Sequence, residues 1–266
     1  MRYGAAFAFL AVCILLCACS AQTASLGPKK EAVEYGEQTI KIEGAGELKL
    51  DVDFSNIQIY TWEKNELKIE TVKKLRGQLE EALLASKMKS FKTEITREKG
   101  KILFKSVFKG KITEPRDKSL DVKLYLPRSI KLLAIKLGTG SIKAFDDLQC
   151  SLAVETGEVD ADINKLDGKV TMTGKRGNLK IGNGKLKAGS AVKTGRGNLN
   201  IKAELEPVGE YAFESEIGNI DLNLPANSQI SVDSIGNVET DEFNTAEASA
   251  KVRLQSGLGK ISVRKY

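Results

Sequence analysis

"VKTGRGNLNI", residues 192–201, decides the fold. Two glycines around Arg196, a lysine before them and an apolar run after them have the look of a loop that holds a phosphate. Such a cradle needs one special glycine loop followed by a helix, whose N-terminus meets the anion. Here an alternating, strand-like run follows instead, and the stretch recurs. An apolar residue following Gly-any appears as Ile142, Val159, Leu179, Leu199, Ile220, Val238 and Ile261, with Gly140, Gly157, Gly177, Gly197, Gly218, Gly236 and Gly259 two places earlier. The spacing is irregular, at about twenty residues. An earlier relative is "LKLDVDFSNIQI", residues 48–59, with Ile57 as anchor and Ser55 in the glycine place. The unit is an alternating strand, a short turn ending in glycine, and a second alternating strand. Glycine suits the turn because a positive φ or a close backbone approach costs it least. "TGRGN" is therefore one turn of a series.

A second column runs beside the first: Asn178, Asn198, Asn219 and Asn237 each lie one place before an anchor. Separate antiparallel hairpins give no reason for this alignment. Stacked rungs about 4.8 Å apart do, because the amides can then bond to one another in a ladder. The expected fold is all-β, a right-handed parallel β-helix or β-roll-like solenoid of short strands with glycine turns. Its inward columns hold mainly Ile, Val, Leu and Ala, and Cys150 falls in one of them as core filler.

Composition narrows the function. The chain has 266 residues and no histidine, which removes His-based triads, a His general base and most zinc chemistry. No cofactor and no metal is expected. The first residues, "MRYGAAFAFLAVCILLCAC", combine an arginine, an apolar stretch and small residues before a cysteine, the layout of an export signal. Leu16, Cys17, Ala18 and Cys19 resemble the box of bacterial lipoprotein signals, which implies cleavage before Cys19 and a lipid on it. An ordinary cleaved signal is the plainer alternative. The expected organisation is a signal peptide over 1–18, a lipidated cysteine and flexible tether over 19–39, and a repeat domain over 40–266. Several acyl chains would hold the exported protein on the bacterial cell membrane or outer membrane. Only Cys150 would then remain as a thiol, so no internal disulfide is expected.

Three stretches carry a family resemblance: "FSNIQIYTWEKNELKIE" from Phe54, "VKLYLPRSIKLLAIKLGTGSIKA" from Val122 and "LNLPANSQISVDSIGNVET" from Leu222. Their Gly-Asn-apolar units, Leu-Pro strand ends and glycine turns resemble the putative-adhesin family of β-strand-repeat domains. The resemblance covers most of residues 40–266 and implies a β-helix or β-roll at the cell envelope. It carries over no catalytic residue.

One segment departs from the repeat. In "KKLRGQLEEALLASKMKSF", residues 73–91, Leu75, Leu79, Ala82, Leu83 and Ser86 follow a helical stripe. This predicts a helix near residues 73–90 that caps an open end of the array or meets a partner.

Charge is zoned along the chain. Lys165 to Lys202 holds ten Lys/Arg against one Asp, and Ala203 to Ala250 holds eleven Asp/Glu and no base. Stacked rungs turn these zones into bands, with Arg176 and Arg196 on neighbouring rungs beside Lys175 and Lys193. The plainer reading is that opposed bands help the rungs stack. The sharper one is that these four residues bind an anionic glycopolymer. Nucleic acid is not expected, because no stacking aromatics are interleaved there. The tight acidic pairs of the repeat, Asp160 with Asp162 and Asp146 with Asp147, suit a wet strand face better than a polysaccharide-cleaving site. The expectation is a membrane-anchored envelope lipoprotein that binds rather than catalyses. An envelope scaffold contacting a membrane protein is the main alternative, and a polysaccharide-acting enzyme the lesser one.

Overall fold

The computed structural model describes residues 29–44, 46–110, 117–243 and 248–266. Cys19 lies outside the described residues. Alternating apolar and polar residues give strands almost throughout, as period-2 patterns do when one face is buried. In chain order these are β1 (Lys30–Lys41), β2 (Gly46–Trp62), β3 (Glu66–Gly77), β4 (Phe91–Glu98), β5 (Lys101–Phe108), β6 (Lys118–Pro127), β7 (Ile130–Leu148), β8 (Ser151–Gly168) and β9 (Val170–Arg176). There follow β10 (Leu179–Ile181), β11 (Gly184–Leu186), β12 (Ala191–Arg196), β13 (Leu199–Lys202), β14 (Glu204–Leu205), β15 (Gly209–Ile217), β16 (Ile220–Leu224), β17 (Ile230–Asp241) and β18 (Ala250–Lys265).

All-β is right, but the solenoid is not what the chain forms. β8 pairs in parallel with β9 through its first half and with β10 through its second. From β9 the pairing runs to β12, β15 and β18. From β10 it runs to β13, β16 and again β18. Both routes end on one strand, so β8, β9, β12, β15, β18, β16, β13 and β10 close into an eight-strand parallel β-barrel with the other strands outside it. The physical reason lies in the two long members. The glycine turns were expected to end every strand, and they do at Gly177, Gly197 and Gly218. β8 and β18, of 18 and 16 residues, instead run through Gly157 and Gly259 and pair on both sides of the bend. Shared in this way, they join the two rows of short strands into a ring.

The repeat register is otherwise visible in the pairing, with one slip. Ile57 faces Ile142, Ile142 faces Ala161, Ala161 faces Leu179, and the column continues through Leu199, Ile220 and Ile261. The anchor of the second copy is therefore Ala161, not Val159, and in the neighbouring column Val154 joins Ile135 and Met172. A slip of two residues keeps every side chain on its own face, so alternation alone does not detect it.

The segment read as a helix near residues 73–90 is mostly something else. β3 extends to Gly77, paired antiparallel with β1 on one side and β6 on the other, and the helix α1 spans only Glu81–Lys87, followed by a short 3-10 turn at Met88–Ser90. Two ladders of backbone hydrogen bonds outweigh the weak helical stripe, whose Gly77 already lowers helix propensity. β1 in turn occupies residues 30–39, which composition had assigned to the tether.

Buried Leu, Ile, Val, Phe and Ala side chains form one continuous core, and Cys150 is buried within it. Desolvation there pushes the Cys150 thiol up to about 11, against a smaller opposing effect of the nearby Lys131 charge.

Candidate functional site

The corner glycines set the geometry of the candidate site. Gly177 has φ +138°, and a Cβ there would lie 1.8 Å from the Val159 carbonyl oxygen. Gly197 would meet the Gly177 oxygen at the same distance. Successive strands therefore pass the corner backbone against backbone, and the flanking side chains are forced into straight rows.

One row is polar. Asn178 donates its backbone N–H and its Nδ2 to Asp160 Oδ1, at 2.8 and 3.0 Å. The Asn198 backbone N–H donates to Asn178 Oδ1 at 2.9 Å, that of Asn219 to Asn198 Oδ1 at 2.8 Å, and that of Lys260 to Asn219 Oδ1 at 2.9 Å. The bonds run from backbone to side chain, rather than from amide to amide as expected. Asn237 is the register partner of Lys260 and sits at the row's outer end. Sequence reasoning missed the other members. Asn56 Nδ2 donates to Asp121 Oδ1 at 3.0 Å, and Ser141 donates to Asn56 Oδ1 at 2.9 Å. The signal was present, since Asn56 precedes the anchor Ile57 as the other asparagines precede theirs.

The neighbouring row holds the predicted arginines. Arg196 faces Arg176 on one side and Ile217 on the other, Arg176 faces Glu158, and Ile217 faces Leu258. The outward sequence across the strands is thus acid, base, base, apolar, apolar. Arg176, Arg196, Asn178, Asn198 and Ile217 line a groove of about 510 Å³ at the glycine corner. Arg176 is ion-paired to Glu158 at 3.2 Å. No ion pair to Arg196 occurs among the described residues.

The four predicted basic residues are not one patch. Lys193 faces Thr173 and Glu214 in a different row, and its Nζ lies 3.1 Å from Glu214 Oε2. Lys175 is exposed, adjacent to Arg176 in the chain. Lys185 likewise pairs with Glu204 at 3.4 Å, and Lys165 with Asp147 at 2.6 Å. Part of the basic zone is therefore spent against its acidic neighbours, Arg176 included, and the groove, which Glu158 and Asp160 also line, keeps Arg196 without an ion pair among the described residues.

A third surface row was missed because aromatics are few. Trp62, Tyr125, Tyr60 and Phe145 lie side by side, with Tyr60 stacked on Phe145 at 4.9 Å and on Tyr125 at 5.4 Å. Lys64, Lys68 and Lys143 sit over the rings of Trp62, Tyr125 and Phe145. With ring faces taken by other rings and by cations, the row braces the sheet in the manner of cross-strand aromatic pairs and does not offer its faces to a ligand.

No family model matches the chain, and no curated protein matches it. Several solved bacterial structures are similar to it. One is a putative cell adhesion protein from Clostridium sporogenes, 14% identical, with 88% of this chain and 100% of that chain covered at a TM-score of 0.39. A putative adhesin from Bacteroides fragilis is 10% identical, with 86% and 97% covered at 0.42. A putative lipid binding protein from Parabacteroides distasonis is 11% identical, with 86% and 96% covered at 0.36. The fold and the groove stand on this chain's own residues.

Proposed function

We propose that this is a non-catalytic binding protein of the bacterial envelope, held to a membrane by lipid on Cys19, whose Arg176–Arg196 groove takes an anionic glycopolymer. The observation that carries the reading is the register pairing of Arg176 with Arg196 beside Asn178 and Asn198. Two arginines on paired strands, whose backbones lie about 4.8 Å apart, offer planar forks to phosphate, sulfate or carboxylate groups. The corner glycines favour access, because a bare backbone leaves the arginine stems standing at the rim. Lys193 contributes little, since it lies in a different row and does not line the groove.

The test is retention of the purified protein on immobilised dextran sulfate. Wild-type protein should be held and released by salt, as a mainly electrostatic contact requires. The Arg176→Glu/Arg196→Glu variant should pass through, and Lys193→Glu should be retained nearly as wild type. Equal retention of the double variant and wild type would overturn the proposal.

A further inference from the structure

At the far end of the wall, spatial order departs from chain order. β18 pairs with β15 and β16 on one side and with β17 on the other, so β17 lies outermost although it comes earlier in the sequence. Charge follows the spatial order. β18 carries five Lys/Arg and no acid, while β17 carries Asp233, Glu239 and Asp241 and no base. Ion pairs bridge successive opposed strands: Arg176 to Glu158, Lys193 to Glu214, Arg264 to Asp221 and Lys260 to Glu239. Each acidic strand of this series, β8, β15 and β16, lies against a basic one, and at the end of the row acidic β17 has a basic neighbour on one side only.

β17 also keeps the devices of an inner strand. Gly236 has φ +136°, matching Gly177 at +138°. Asn237 occupies the polar row, and Val238 faces Ile261 in the apolar column. Each inner asparagine of the row lends its Oδ1 to an N–H of the next strand. Among the described residues Asn237 makes no side-chain hydrogen bond, and no strand pairs with the outer side of β17. The column registers the missing neighbour: Ile220 and Ile261 are 0% exposed, whereas Val238 is 44% exposed.

We propose that the outer edge of β17 takes up one further parallel strand, a cationic extended segment of another protein that sets an apolar residue against Val238. Edge pairing of this kind supplies backbone hydrogen bonds for affinity and side-chain matching for specificity. With Glu239 held by Lys260, Asp233 and Asp241, which make no ion pair among the described residues, select the sign of the guest, and the apolar column selects its register. A second copy of this chain fits poorly. Its own β17 repels, β1 holds three Glu against two Lys, and β4 is balanced. Register shifts at Ile235/Asn237 and Val238/Thr240 kink β17, and such irregularities discourage indiscriminate pairing at an edge.

The probe is a labelled synthetic peptide with the sequence of residues 250–265, the strand that β17 already accepts on its inner side. Added to the purified protein at low salt, it should bind saturably and slow amide exchange in residues 230–241. A peptide with its five Lys/Arg changed to Glu should not bind. Val238→Lys and Asp233→Lys, both at exposed positions, should each weaken binding about tenfold with an unchanged circular dichroism spectrum. Asn237→Ala, which alters no packed group, should weaken it less. The Arg176→Glu/Arg196→Glu variant should bind the peptide as wild type does, so this test and the polyanion test fail separately. Absence of saturable binding, equal binding by the Val238 and Asp233 variants, or lost exchange protection in β15 and β16 from displacement of the chain's own β18 would each overturn the proposal.

Discussion

The strands before Ile130 and the parallel wall after it bury similar apolar residues by different means. The first region mixes directions: β1, β3 and β6 are antiparallel neighbours, β4 and β5 form a hairpin, and stacked rings brace the outer face. The wall from β7 onward is parallel, turns its corners on glycine and ties its strands by the asparagine row. Where the two meet, Ser55 stands in the glycine column, buried with its hydroxyl unpaired, directly beside Gly140. Repetition of one corner makes rows of like side chains, and the rows make the arginine groove and give the β17 edge its column; the mixed region has no such repeated corner. Both proposed binding features, the arginine groove and the β17 edge, accordingly lie in the wall.

The largest effect that sharpens this contrast comes from the corners. Gly177→Ala forces a Cβ into a backbone oxygen at a positive φ and should cost about 4 kcal/mol or more, read as a fall in the urea midpoint. Gly44→Ala, at φ +76° in open space, should cost only about 1 kcal/mol. Equal losses would show that the wall corners are no tighter than an ordinary turn.

Next come the columns. Ile220→Ala, at a fully buried position, should cost about 3 kcal/mol, and Val238→Ala, at the open end of the same column, under about 1 kcal/mol. A large loss at Val238 would mean that the column does not end there. In the polar row, Asn198→Ala removes an acceptor from the Asn219 N–H and should cost about 1 kcal/mol, while Asn237→Ala should be near neutral.

These contrasts show what was legible in the chain. The strand class, the glycine series, the buried face and the alignment of Arg176 with Arg196 all follow from period-2 alternation and a repeated offset. The closure of the barrel did not. It depends on β8 and β18 continuing through Gly157 and Gly259, and a glycine in sequence is the same letter whether it ends a strand or bends one. The slip from Val159 to Ala161 escaped for the related reason that both residues face inward. The helix was overcalled because Leu75 satisfies a helical stripe and a strand equally, and only the partners in β1 and β6 decide. The apolar end of the arginine row, Ile217 and Leu258, was hidden because the two residues are far apart in the chain and meet only through the pairing of β15 with β18.

The smallest expected effect concerns Cys150. Its pKa is raised in the folded state, so its contribution to stability is present below the ordinary value of 9.0 and lost as pH rises through about 11. Folded protein at pH 8 should leave Cys150 unlabelled by a thiol reagent, and urea-unfolded protein should label it fully, as read by mass spectrometry of the Cys150 peptide. Rapid labelling in the folded state would place Cys150 outside the core.

The most direct measurement for the central functional claim is a nuclear magnetic resonance titration of the protein with a short sulfated oligosaccharide, following the side-chain Nε–H signals of arginine. The groove predicts that the Arg176 and Arg196 signals shift together along one saturating curve, with the Asn198 and Asn219 backbone amides beside them. Shifts confined to the lysine-rich strands before Ile130, or none at either arginine, would contradict it.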